Sequence, residues 1–167
     1  MDLDEFKKLK DIIGSSKAQS TPRSIVINEQ GFTEAAAAGL VGNLMLESSL
    51  MGTADNGSHY GICQWDYTGD PKENPSGGRW LRIYQYLMDN GFTYDHLGGQ
   101  VKAIFESDDY TANKGAVDGM RGQTDARAAA KYWDDTYERS GGQALEARQR
   151  YAEQALEIYH GERDSFN

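Results

Sequence analysis

Between Glu34 and Glu47 the chain runs Glu-Ala-Ala-Ala-Ala-Gly-Leu-Val-Gly-Asn-Leu-Met-Leu-Glu, with no charge between its two glutamates. Ala, Leu and Met are strong helix formers. Thr33 offers an N-cap, and Glu34 lies beside the positive end of the helix dipole. A helix whose every side is small or apolar has no face to give to solvent, so the rest of the chain must surround it. Gly39 and Gly42 would each cost about 1 kcal/mol relative to Ala in an exposed helix. Here they are expected to let another element approach closely.

The 167 residues suffice for one domain with its own core. Residues 5–13 have the apolar spacing of a short amphipathic helix, and Gly14-Ser15-Ser16 reads as a linker. Residues 1–21 are therefore expected to be an arm or linker, and residues 22–167 the folded domain. Pro22 suits the first turn of a helix running to Gln30, with Gly31 as its C-terminal cap. Further helices are expected over Gly78–Asn90, stopped at Gly91, over Tyr94–Ser107, and over Gly115–Met120. Two more follow, Asp125–Glu138 with Thr124 as N-cap, and Ala144–His160. Between the buried helix and these, Gly52–Ser58 is turn-rich and His59–Trp65 is strand-like, which predicts a short hairpin or irregular ribbon. Tyr67–Gly78 reads as a loop. The class is α+β, mainly α, with one small hairpin after the buried helix.

Charge and residue types remove several kinds of function. A net charge of −9 argues against nucleic acid, whose binding needs Lys and Arg to neutralise phosphates. The same charge gives no long-range attraction to an anionic surface. No run of residues is long and apolar enough to span a membrane. The acidic N-terminus, Met1-Asp2-Leu3-Asp4-Glu5, lacks the pattern of a secretory signal, so synthesis in the cytoplasm is expected. The single Cys63 excludes an internal disulfide framework and reads as a small buried hydrophobe. His59, His96 and His160 have no ligand spacing, and no Gly-rich phosphate loop is present, so neither a metal nor an organic cofactor is expected.

The chemically telling residue is Glu47, a carboxyl at the end of the buried helix and just before turn residues. Partial desolvation there favours the protonated form. A protonated carboxyl is what a general acid needs to give a proton to a glycosidic oxygen.

The surroundings of Glu47 sharpen that reading. Ala38-Gly39, Gly42-Asn43, Glu47-Ser48, Asp55-Asn56-Gly57, Tyr60-Gly61, Gln64-Trp65 and Arg79-Trp80-Leu81 follow one another in order. Tyr137-Glu138-Arg139 and Arg150-Tyr151-Ala152 close the series less distinctively. The set resembles the lysozyme-like superfamily, and within it the phage tail lysozyme family of peptidoglycan-degrading domains, over about residues 22–155.

The resemblance implies a lysozyme-like helical domain in which Glu47 protonates the oxygen between two amino sugars. Glycosidases of this general type add a second carboxylate. Asp55 is the first candidate and Asp66 the second, although Asp before Asn-Gly is also an ordinary turn residue. Gln64 is expected to bond substrate or orient the groove. Tyr60 and Trp65 lie five apart, which on one strand puts them on opposite faces, with Tyr60 assigned to the groove and Trp65 to the core. Tyr137 is matched to a late tyrosine that faces the acid. The implied reaction is muramidase-type cleavage. A lytic transglycosylase, in which the sugar's own hydroxyl closes an anhydro ring, shares the same residues, and a non-catalytic wall-binding or tail structural domain would share the fold. The implied partners are peptidoglycan glycan strands and other components of a phage or prophage particle, and the implied location is the virion tail or the cell wall.

Overall fold

The structure, a computed structural model, describes residues 3–13 and 21–166. The Gly14-Ser15-Ser16 linker expected from the sequence lies outside them. Helix α1 (Leu3–Ile13) buries Leu9 and Ile13 in the common core. A π-helical stretch follows, Ser24–Glu29, ending at Gly31, whose φ of +74° and N–H bond to Ile27 O (3.1 Å) make it the predicted cap.

The charge-free helix forms as expected. It is α2 (Glu34–Ser48), capped by Thr33 Oγ1, which accepts from Ala36 N at 3.0 Å. All residues from Ala35 to Met45 are buried. The two glycines explain how the shell fits so closely. A Cβ at Gly39 would lie 2.6 Å from Ala129 Cβ and 2.8 Å from Ala130 N; one at Gly42 would lie 2.6 Å from both Ala152 N and Arg148 O. Those residues belong to α6 (Ala126–Trp133) and α7 (Leu145–Phe166). Helix α2 is thus wedged between α6 and α7 at backbone contact distance.

After α2 the chain turns through two left-handed residues, Ser49 (φ 53°) and Leu50 (φ 58°). The expected hairpin follows as β1 (His59–Tyr60) and β2 (Trp65–Asp66), antiparallel with Tyr60 opposite Trp65. The segment that reads as a loop holds a second hairpin, β3 (Thr68–Asp70) and β4 (Asn74–Gly77), with a register shift at Thr68/Gly69. Its residues are mostly exposed, so no apolar alternation marks it in the sequence.

The remaining helices surround this centre. Helix α3 (Arg79–Asp89) starts where Asp66 Oδ1 accepts the Arg79 N–H at 3.1 Å. Helix α4 (Leu97–Glu106) is capped by His96 Nδ1, which accepts from Gly99 N, so it starts later than Tyr94. Helix α5 runs Asp108–Gly119, longer than the expected Gly115–Met120. The N-cap of α6 is Asp125, not Thr124: its Oδ1 accepts from Ala128 N at 2.7 Å. Beyond Trp133 the helix widens into a π turn, Asp134–Glu138, in which Arg139 N bonds back to Asp134 O at 2.6 Å. Cys63 is buried, as expected of a small hydrophobe. Among the described residues no helix is long and apolar enough to cross a membrane. The architecture is α+β and mainly α.

Candidate active site

The C-terminal end of α2 opens on a cleft of about 570 Å³. It is lined by Glu47 of α2, Asn56 just before β1, His59 and Gln64 of the first hairpin, Glu138 and Arg139 at the end of the π turn, and Gln143 and Arg148. Among the described residues, the carboxyl groups lining it are those of Glu47 and Glu138.

Among the described residues, Glu47 is held by one cation. Its Oε1 accepts from Arg148 Nη2 at 2.5 Å, and the arginine side chain is only 4% exposed against 18% for the glutamate. Arg148 Nη1 also donates to Asn43 Oδ1 (2.8 Å) and Nε to Gln143 O (3.2 Å). Asn43, fully buried, donates to Gly39 O and Ala130 O (2.9 and 3.0 Å). One amide therefore ties α2 to α6 and positions the guanidinium that positions Glu47. Behind Arg148 lies a second carboxylate: Asp134 is fully buried, with Oδ1 3.4 Å from Arg148 Nε. Among the described residues a single buried guanidinium thus stands between two carboxylates, with a third carboxyl lining the same cleft.

That third group is Glu138. Its pKa is pushed up to about 8, first by burial and then by the nearby charge of Glu47; the Trp133 N–H bond, Arg148 and Arg79 oppose the rise. Trp133 Nε1 donates to Glu138 Oε1 at 3.1 Å. The sequence reading places Glu138 only in a closing segment and misses it as a site residue. One signal could have found it. Glu138 precedes Arg139-Ser140-Gly141-Gly142 at the C-terminal end of a helix, where the macrodipole disfavours negative charge, and Glu47 sits at the same kind of place.

The other expected site residues fall in different places. Gln64 reaches the cleft, but its Nε2 donates to Ala54 O (3.0 Å) and Gly61 O (2.9 Å), so the amide fastens the loop that forms the wall. Asp55 is exposed and turned into its own loop, accepting from Gly57 N (2.8 Å) and the Tyr67 hydroxyl (2.9 Å); its neighbour Asn56 lines the cleft and Asp55 does not. Asp66 is engaged at the start of α3.

The assignment of Tyr60 to the groove is corrected. Its side chain is fully buried, packed against Trp80 (4.6 Å between ring centroids), Tyr94 and Tyr67. The chain turns between Tyr60 and Trp65, so the two are cross-strand partners and face the same side. Counting five positions along a single strand gives the wrong parity. Tyr137 is corrected in the same way. It is fully buried, stacked on Trp133 at 4.0 Å, and its hydroxyl accepts from Trp65 Nε1 at 2.9 Å. The cleft residue is the next one along, Glu138.

Residues 19–159 match the family model described as phage tail lysozyme. No curated protein and no solved structure matches the chain.

Proposed function

The chain belongs to the phage tail lysozyme family, and from that premise we propose that its cleft cuts the glycan strands of peptidoglycan, with Glu47 as the acid that protonates the glycosidic oxygen. The observation that carries this reading is the placement of Glu47: a carboxyl at the end of the buried helix α2, oriented by buried Arg148 and opening on a polar cleft. As the bond from C1 to the bridging oxygen breaks, that oxygen takes the acid's proton and positive charge builds on the sugar ring. The carboxylate left behind and the polar wall of Asn56, His59 and Gln64 favour that charge distribution. In the muramidase reading, water adds to C1. The cleft's access to solvent supports this outcome, and the second reading, attack by the sugar's own hydroxyl, is favoured by the engagement of Asp55 and Asp66 elsewhere. Delivery by a phage or prophage particle, or release to the wall, accounts for how a chain of net charge −9 reaches an anionic polymer without long-range attraction.

Glu47→Gln tests the reading. The amide keeps the hydrogen bond to Arg148 but has no proton of acid strength to give. Wall clearing should fall by about 10²–10⁴-fold with the melting temperature little changed; clearing at the parent rate would remove Glu47 from the role. Mass spectrometry of the digest then separates the outcomes, reducing ends marking hydrolysis and anhydro-muramic ends the internal closure.

A further inference from the structure

In the free protein Glu47 Oε1 accepts a hydrogen bond from Arg148. An acid needs a proton to give. The same cleft holds a second carboxyl, Glu138, that is built to keep one. Asp134 and Glu138 lie four apart on the π turn, the first buried beside Arg148 and the second reaching the cleft beside Glu47. Three carboxyls therefore converge on one buried guanidinium, and an excess of negative charge in a desolvated cluster is relieved by retaining a proton. Among the described residues Glu47 and Asp134 are ion-paired to Arg148 and Glu138 is not, and Glu138 stands at the negative end of a helix, which makes it the site for that proton.

We propose that Glu138 is the proton-holding partner of Glu47: the two carboxyls that line the cleft share one proton, which rests on Glu138 and moves to Glu47 for bond cleavage. Glu138 gives its proton to the Glu47 carboxylate, and Glu47 gives it to the glycosidic oxygen as the C1–O bond breaks. The attacking hydroxyl, from water or from the sugar, forms the new bond to C1, and its proton returns to the pair. The role of Glu138 is positional, exercised through Glu47, and is the same for hydrolysis and for internal closure. It rests on the reading of Glu47 as the acid. Burial and the charge of Glu47 raise the Glu138 pKa to about 8, in keeping with the geometry. The charged and titratable groups around Glu138 are Glu47 from α2, His59 and Cys63 from the first hairpin and its turn, Arg79 from α3 and Arg148 from α7. Asp134 and Arg139 share its turn.

The test combines carboxyl ¹³C titration of glutamate-labelled protein with the pH profile of wall clearing. The parent should show one glutamate carboxyl titrating near pH 8. That signal should vanish in Glu138→Gln and move down by about one pH unit or more in Glu47→Gln, where the like charge is gone. Clearing by Glu138→Gln should lose its alkaline side, the limb moving to lower pH by about one unit or more, and Glu138→Asp should recover part of it. Gln can still accept the Trp133 N–H, so folding is preserved, and an unchanged melting temperature at acid pH checks it. If every glutamate carboxyl titrates in the ordinary range, or if the alkaline limb of Glu138→Gln stays in place, the proposal fails while the acid role of Glu47 stands. If Glu47→Gln clears walls at the parent rate, the underlying reading fails and this one with it.

Discussion

Two buried ion clusters flank Tyr137, and they are built with opposite charge ratios. In one, Asp109, 1% exposed, receives both Arg79 (Nη2 at 2.9 Å) and Arg82 (Nη2 at 2.6 Å). The Asp109 carboxylate also accepts from Asn113 Nδ2 (3.2 Å) and the Tyr137 hydroxyl (3.4 Å). Two cations serve one carboxylate, which is bonded on both oxygens. In the other, Arg148 is the one cation among the described residues that is ion-paired to Glu47 and Asp134, with Glu138 beside them. The first arrangement neutralises its buried charge and fixes α3 to α5 and the π turn. The second leaves a surplus of carboxyls at a solvent-facing cleft. A saturated cluster holds a fold in place; an under-neutralised one keeps a titratable proton where chemistry can use it.

Substitutions at Asp109, Gly42 and Glu138 put this contrast at risk in turn. The largest effect on stability is expected at Asp109. Asp109→Ala leaves two arginines without their shared partner and should cost about 3–5 kcal/mol in chemical denaturation. A loss below about 1 kcal/mol would mean that this cluster is no more structural than a surface ion pair. Next comes Gly42→Ala. The added methyl would meet Ala152 N and Arg148 O at 2.6 Å, forcing α7 outward at the residue that orients Glu47. A destabilisation of about 1–3 kcal/mol is expected, with wall clearing falling further than the lost stability accounts for. Equal losses in both would show that the cleft tolerates movement of Arg148.

The smallest effect appears in the pH dependence of stability. Because the folded-state pKa of Glu138 is raised, to about 8, its contribution to stability is complete below the ordinary carboxyl range and is lost as pH rises through about 8. Glu138→Gln cannot ionise and escapes that loss. Its melting temperature should equal the parent's near pH 4 and exceed it by about 2–4 °C at pH 8–9, as expected of about 1 kcal/mol at a half-buried site. A melting difference independent of pH would contradict a buried proton at Glu138.

Helix α2, its Thr33 cap and the function of its two glycines are legible in the sequence because each follows from a local rule: residues with no polar face, a hydroxyl before the first turn, glycines where only backbone approach justifies them. The first hairpin is legible for the same reason. The second hairpin is not, because its exposed residues carry no alternation. Tyr60 and Tyr137 are misplaced by sequence reasoning because an aromatic ring's exposure depends on what closes over it, here Trp80 and Trp133, and that is a tertiary matter. Arg148 is invisible. It is 101 residues from Glu47, on a helix whose sequence is rich in charge throughout, and nothing local distinguishes it from Arg150, two positions on. Asp134 and Glu138 are four apart and share one face at ordinary helical pitch, but nothing local says that this face turns inward, and an acidic run such as Asp134-Asp135 ordinarily reads as a solvated surface.

The wedging of α2 between α6 and α7 sets how this protein should fail when heated. Elements packed on all sides open only when the whole domain does, whereas exposed ribbons open locally. The amides of Leu40–Leu46 should therefore exchange with deuterium only through global unfolding, and those of the second hairpin far sooner. Since Glu47 lies in the last turn of that slowest helix and Arg148 on the helix wedged against it, the ion pair that orients Glu47 should persist up to the melting transition and disappear with it.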